Sequence, residues 1–235
     1  MKDHACVTDF HSHVLPVDHG CKDTDQAVKQ LCLMHSSGTE AVVATPHFYP
    51  EVHTVDAFTA SLDDALDQLC QTKDVQLPSL YVGAEVLYCH NLDMMNGLEA
   101  LCIRGTKVLL LELTSDVDEN GQADCIQRLL KRGFTIVLAH IDRYLKDHDE
   151  EIRSLISLGA YAQINAASLY SSSLKKRLRY YLEETDSVVA LGSDLHGVDK
   201  AVYRKFAKLP SCLDTAYGEI MKRSESLLSG AQKIL

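Results

Sequence analysis

Short apolar runs along this chain end, one after another, in side chains that bind metals or move protons. Val7–Ser12 opens into Asp9-Phe10-His11-Ser12-His13, Ala41–His47 ends in Thr45-Pro46-His47, and Leu80–Val86 carries Gly83-Ala84-Glu85. Lys107–Leu113 carries Glu112, and Thr135–His140 ends in His140, with Asp142 and Arg143 just beyond. Tyr161–Asn165 ends in Gln163-Ile164-Asn165, and Val188–Asp194 leads into Ser193-Asp194-Leu195-His196. Histidines 11, 13, 47, 140 and 196 offer neutral imidazole nitrogen, while Glu85, Glu112 and Asp194 offer carboxylate oxygen that can also bridge two ions. These eight donors exceed the three or four of a mononuclear catalytic zinc site and suit two or three ions. Mixed imidazole and carboxylate donors suit manganese, zinc or iron rather than calcium. Clusters of this kind, with ions roughly 3.5–4 Å apart, serve phosphoester hydrolysis.

No single piece is specific. H-x-H at 11–13 reads equally well as two partly exposed histidines, although strand alternation would turn both to one face. His47 after Pro46 reads as an ordinary loop histidine, and Glu85 and Glu112 as salt-bridge partners inside an apolar layer. The conjunction is what carries the inference. Burying a histidine or carboxylate costs several kcal/mol unless it is paired. Repeating that cost at successive strand ends calls for a compensating charge, which metal ions supply.

The elements that must place these residues are strand–helix units. The runs are short and nearly continuously apolar, as strands are when both faces of a parallel sheet are covered. Helical periodicity fills the gaps at Asp23–Ser37, Asp56–Thr72, Ala123–Arg132, Asp149–Leu158 and Leu174–Glu184, and Ser211–Lys233 reads as one or two closing helices. Seven strands alternating with helical or connecting segments, without a linker-like break, predict parallel βαβ units in one α/β domain over residues 1–235. An open doubly wound sheet and a barrel both fit; the lack of a glycine-rich phosphate turn favours a distorted, TIM-like (β/α)7 barrel. The C-terminal strand ends of such a barrel converge on one mouth.

Composition narrows the rest. The chain has 235 residues, 46% of them hydrophobic and 24% charged, enough for a large core and too apolar for wholesale disorder. Eleven histidines stand beside a net charge of −10, which argues against nucleic acid or an anionic membrane as partner. No apolar run approaches the roughly 18–20 residues of a membrane span, so no membrane insertion is expected. The opening MKDHACVTDF has no apolar run after its lysine; no signal peptide and a cytoplasmic location are expected. Eight irregularly spaced cysteines without a C-x-x-C pair read as free thiols. None is followed six positions later by arginine, so a phosphocysteine loop of the C-x5-R kind is absent.

The motifs together resemble the polymerase-and-histidinol-phosphatase (PHP) superfamily: D-F-H-S-H at 9–13, A-T-P-H at 44–47, G-A-E-V at 83–86, L-L-E-L at 110–113, A-H-I-D-R-Y at 139–144, Q-I-N-A-A-S at 163–168 and G-S-D-L-H at 192–196. Within it the chain looks most like the bacterial PHP-type tyrosine-protein phosphatases of capsule and exopolysaccharide biosynthesis. The resemblance runs from about residue 7 to about residue 200, in order. It implies a distorted (β/α)7 barrel and a multinuclear cluster, usually manganese. It also implies hydrolysis of phosphotyrosine on a bacterial tyrosine kinase. By position His11, His13, His47, Glu85, Glu112, His140, Asp194 and His196 would be metal ligands, and Arg143 would hold the phosphate.

Two departures from the family pattern stand out. Family members commonly carry D-D-G after H-x-H, its second aspartate reaching a metal. Here Val17-Asp18-His19-Gly20 is one residue shorter and puts His19 on the ligand position, with Asp18 as the alternative. A family arginine soon after the D-x-H segment has no direct counterpart, and Lys200 or Arg204 is left to bind substrate in its place. Lysine supplies charge without a bidentate fork. The expected reaction is metal-assisted hydrolysis of a phosphomonoester. Histidinol-phosphate hydrolysis on the same barrel is the nearest alternative, and a non-catalytic metal-binding protein a more distant one.

Overall fold

The computed structural model describes residues 6–72, 75–115, 121–213 and 215–235. In chain order its strands and α-helices are β1 (Thr8–His13), α1 (Thr24–Ser36), β2 (Ala41–Ala44), β3 (His47–Phe48), α2 (Val55–Cys70), β4 (Ser79–Val82), β5 (Glu85–Leu87), β6 (Val108–Glu112) and α3 (Gln122–Lys131). There follow β7 (Thr135–Leu138), α4 (Asp149–Ser157), β8 (Tyr161–Asn165), α5 (Ser172–Glu183), β9 (Val188–Gly192), β10 (Leu195–His196), α6 (Lys200–Phe206), α7 (Leu209–Leu213) and α8 (Thr215–Leu227). Among the described residues no helix is long and apolar enough to cross a membrane.

Among the described residues every strand pairing is parallel. One sheet has the order β10-β1-β2-β4, the other β3-β5-β6-β7-β8-β9. The pairs β2 and β3, β4 and β5, and β9 and β10 are each one run broken at two residues. The pairing therefore passes from β1 through β2 and β4 to β3 and β5, onward through β6, β7 and β8 to β9, and from β10 back to β1. This is the expected barrel circuit, and the breaks are its distortion. At the first break Pro46 has no N–H to give a ladder, while its carbonyl still accepts from Glu85 N at 3.1 Å.

Apolar side chains form two layers. Phe10, Val43, Leu110, Val137, Ala139 and Val189 fill the ring from inside. Outside it, Val42, Leu80, Leu111, Ile136 and Ile164 meet helix stripes such as Leu31 and Met34 of α1 and Phe58, Leu62 and Leu66 of α2. Helix starts are set by side-chain caps: Asp23 accepts from Gln26 N at 2.8 Å, and Asp199 from Ala201 N at 2.7 Å. The closing segment differs from expectation. Two helices, α7 and α8, fall in the expected closing stretch, but α8 already stops at Leu227, and a further short helix, α6, precedes them. The chain end then runs under the ring, where Gln232 N donates to Arg104 O at 2.7 Å and Ile234 N to Leu80 O at 2.8 Å. With that end sealed, the opposite, C-terminal strand ends are left as the mouth.

Candidate metal centre

Glu85 stands at the middle of the mouth. It opens β5 in register with His47 of β3 and is fully buried. Its Oε2 lies 3.1 Å from His11 Nε2, 3.3 Å from His13 Nε2 and 3.0 Å from His47 Nδ1, and its Oε1 lies 2.7 Å from His140 Nε2. Asp194 Oδ1 is 3.4 Å from His13 Nε2 and 3.7 Å from His11 Nε2. Glu112 Oε1 is 3.5 Å from His140 Nε2. His196 stacks on His13 with ring centroids 3.9 Å apart and brings its Nε2 to 3.4 Å from His47 Nε2. His19, in the loop after β1, stacks 4.8 Å from both His47 and His196. All nine residues expected to bind metal are therefore brought together.

Local irregularities build this cluster. The β1–β2 register shifts between Asp9 and Ser12. Asp9 reaches outward to the Tyr203 hydroxyl at 3.3 Å, whereas Phe10 joins the interior layer and His11 enters the cluster. The shift thus lets two consecutive side chains face inward, and alternation then brings His13 beside His11, their Nε2 atoms 3.2 Å apart. His140 and Asp194 both adopt left-handed backbone, with φ of 31° and 51°. Non-glycine residues pay of order 1–3 kcal/mol for such conformations, which persist where the surroundings impose them. Here the His140 N–H donates to Gln163 Oε1 at 2.6 Å and the Asp194 N–H to His11 O at 2.9 Å.

Three residues that sequence patterns did not assign a supporting role orient the cluster. Gln163 Oε1, already an acceptor from His140, lies 3.1 Å from His11 Nδ1 and so places the proton there, leaving Nε2 as a lone-pair donor. Asp18 Oδ2 fixes the ring of His13 through Nδ1 at 2.6 Å, and accepts from His47 N at 2.9 Å. Asn165 donates to Asp194 Oδ2 at 2.8 Å, and its own N–H is held by Asp142 Oδ1 at 2.9 Å. A glutamine and an asparagine on one apolar strand were the available signal; their partners lie far off in sequence.

The electrostatics follow from burial and crowding. Burial opposes ionisation of Glu85, but His11, His13 and His140 around it hold its carboxyl well below the usual range. Asp194 is likewise lowered against its burial by His13, His11 and Arg143. Glu112 is pushed up by burial and by the neighbouring Glu85. His13 is raised well above its ordinary value, its burial outweighed by Asp18, Asp194 and Glu85. Burial and the adjacent His13 bring His196 down to about 4.

The donors fit cations. His47 Nδ1 and Glu85 Oε2 are buried and only 3.0 Å apart, yet neither makes a hydrogen bond, and His140 Nδ1 is buried without one too. The lone pairs converge on shared space instead of on each other. His13/His47/His196, His11/His13/Glu85, Asp18/His19/His47 and His47/Glu85/Glu112 each bring their ligand atoms within 4.8 Å of one another. These sets overlap through His13, His47 and Glu85, as sites sharing ligands between ions do.

Arg143, half-exposed at the rim, pairs its Nη2 with Asp194 Oδ2 and brings Nη1 to 3.6 Å from Glu112 Oε1. Lys200 and Arg204 are exposed on α6 and make no ion pair or hydrogen bond with the cluster.

A parallel β/α ring with overlapping histidine–carboxylate donor sets at its C-terminal mouth defines a metal-capable barrel of the phosphoesterase type. The chain belongs to the CpsB/CapC family of capsular polysaccharide synthesis proteins, which it matches over residues 7–234. It is 26% identical over 235 residues to the tyrosine-protein phosphatase CpsB of Streptococcus pneumoniae, covering 92% of this chain and 90% of that one. To CpsB of Streptococcus agalactiae it is 27% identical over 206 residues, 82% of this chain and 84% of that one. Among solved structures, one from the pair YwqE of Bacillus subtilis and CpsB of Streptococcus pneumoniae, both metal-dependent tyrosine phosphatases, superposes with a TM-score of 0.77 at 21% identity, covering 96% of this chain and 95% of that chain. The fold is shared.

Proposed function

We propose that this chain is a metal-dependent protein-tyrosine phosphatase, acting on phosphotyrosine of a bacterial tyrosine kinase that governs capsular or exopolysaccharide synthesis. The observation that carries the reading is Glu85, whose two oxygens meet four histidine nitrogens at 2.7–3.3 Å at the centre of overlapping donor sets. Family membership and phosphatase relatives along nearly the whole chain support it.

Two or three divalent ions, manganese foremost, would be held by His11, His13, His47, Glu85, Glu112, His140, Asp194 and His196. His19 is favoured over Asp18 as the further ligand, because Asp18 already serves His13 Nδ1 and the N–H groups of His47 and Gly20. Bound ions of this kind neutralise phosphoryl charge and make water available for attack near neutral pH. The protein's own residues supply the rest. Gln163 and Asp18 engage Nδ1 of His11 and His13, which leaves Nε2 as the nitrogen each ring would give to an ion. Asn165 holds Asp194 in place. Arg143 offers a planar fork at the rim, suited to two phosphoryl oxygens at once. Lys200, exposed four residues after His196, is the second cation assigned to substrate, with Arg204 on the same helix as the alternative.

Steady-state turnover of a phosphotyrosine peptide and of histidinol phosphate by the manganese-loaded chain tests the reading. The peptide is expected to be the better substrate, with Arg143→Ala lowering its kcat/KM by about 10²-fold. Turnover of histidinol phosphate without that of the peptide would refute the substrate assignment.

A further inference from the structure

Beside the cluster, the mouth carries a cavity of about 400 Å³ walled by Tyr49, Pro50, Val52, Leu87, Tyr88 and Thr114. Its position follows from the strands. Tyr49 comes two residues after His47, Leu87 two after Glu85 and Thr114 two after Glu112. Those three predecessors form one of the candidate ligand sets. Tyr88 N donates to Glu112 O at 2.8 Å, tying two of the walls side by side. The Tyr49 ring stacks on the His47 imidazole with centroids 5.1 Å apart and planes inclined by 18°. The cavity therefore opens against the place where phosphate would lie.

Its chemistry separates it from the phosphate site. The walls include Glu51 and neither lysine nor arginine. With Glu51 and His90 as its only ionisable side chains besides Cys89 and the tyrosines, the lining offers no permanent cation to an anion, while an uncharged ring gains apolar contact and an aromatic face. In an aryl phosphate a single oxygen separates phosphorus from the ring, so a ring subsite must adjoin the phosphoryl site, and here Tyr49 links the cavity wall to His47. Val52, 74% exposed, stands at its rim.

We infer that this cavity is the subsite for the aryl group of the phosphorylated tyrosine, with Tyr49 and Val52 flanking the ring while the phosphoryl group faces the His47–Glu85–Glu112 set. The inference rests on the phosphatase reading above and adds to it the element that selects tyrosine over aliphatic phosphoesters. Neither Tyr49 nor Val52 belongs to a candidate ligand set.

The test is equilibrium binding of phenylphosphonate and of methylphosphonate to the manganese-loaded chain, in wild type, Tyr49→Ala and Val52→Ser, with manganese content measured in each. Wild type is expected to bind the phenyl compound about tenfold more tightly, about 1.4 kcal/mol. In the variants that preference falls to within about twofold of unity. Equal affinities in wild type, or an undiminished preference in both variants, overturn the subsite. Tyr49 touches His47, so if Tyr49→Ala loses manganese the Val52→Ser result decides. Hydrolysis of the phosphotyrosine peptide without an aryl preference removes the subsite and leaves the phosphatase reading standing. An aryl preference that responds to both variants, in a chain that does not hydrolyse the peptide, does the reverse.

Discussion

The side-chain oxygen of Gln163 lies 3.1 Å from Nδ1 of His11 while also accepting the His140 N–H at 2.6 Å. One carboxamide thus fixes the ring orientation of one candidate ligand and the left-handed backbone of another. Partners of this kind typically change metal affinity 10–100-fold when removed. Gln163→Leu is expected to weaken manganese binding by about that factor, read by titration calorimetry against wild type. Unchanged affinity would mean that His11 and His140 are held by their packing alone.

Asp18 predicts a pH dependence in the metal-free chain. Its burial favours the neutral acid, but His13 and the N–H groups of His47 and Gly20 bring its carboxyl down from 3.8 to about 2. A carboxylate whose pKa is lowered on folding adds stability that is fully present above its ordinary value and is lost as pH falls toward its folded one. Roughly 2 kcal/mol follows from about 1.4 kcal/mol per pH unit. In urea unfolding, Asp18→Asn should trail wild type by about that amount at pH 6, with the gap closing between about pH 4 and pH 2. A gap that stays constant over that range would remove the charge from the explanation.

Gly192 ends β9 against the cluster. A Cβ there would stand 2.5 Å from His11 Cβ and 2.6 Å from Gln163 Nε2. Gly192→Ala is expected to cost about 1–3 kcal/mol and to weaken manganese binding at the same time. Gly218, inside α8, has nothing within 4 Å of such a Cβ, and Gly218→Ala should stabilise by about 0.5–1 kcal/mol with metal binding untouched. Thermal unfolding with and without manganese distinguishes the two. Loss of stability at Gly192 without loss of metal would separate that glycine from the site.

The strands and the polar side chains that meet at the mouth are legible in the sequence for one reason: Glu85, Glu112 and His140 interrupt or end apolar runs, where a polar side chain is costly. Periodicity also gave α1 to α5 to within two or three residues. What it did not give depends on contacts between distant segments. The breaks after Ala44, Val82 and Gly192 arise where ladders change sheet, and the register shift that turns both Phe10 and His11 inward is visible only against β2. In the sequence Asp18 reads as an alternative ligand, and its tie to His13 Nδ1 appears only once the loop folds back. The short, charged α6 has only Tyr203 and Phe206 buried, too few apolar positions to show a helical stripe.

The most direct test of the cluster is metal content measured together with phosphotyrosine turnover, on the chain as isolated, after chelation, and after manganese is returned. Chelation should remove both metal and activity, manganese should restore both, and Glu85→Gln should recover neither in full. Full turnover by a chain shown to be free of metal would contradict a metal-dependent phosphatase.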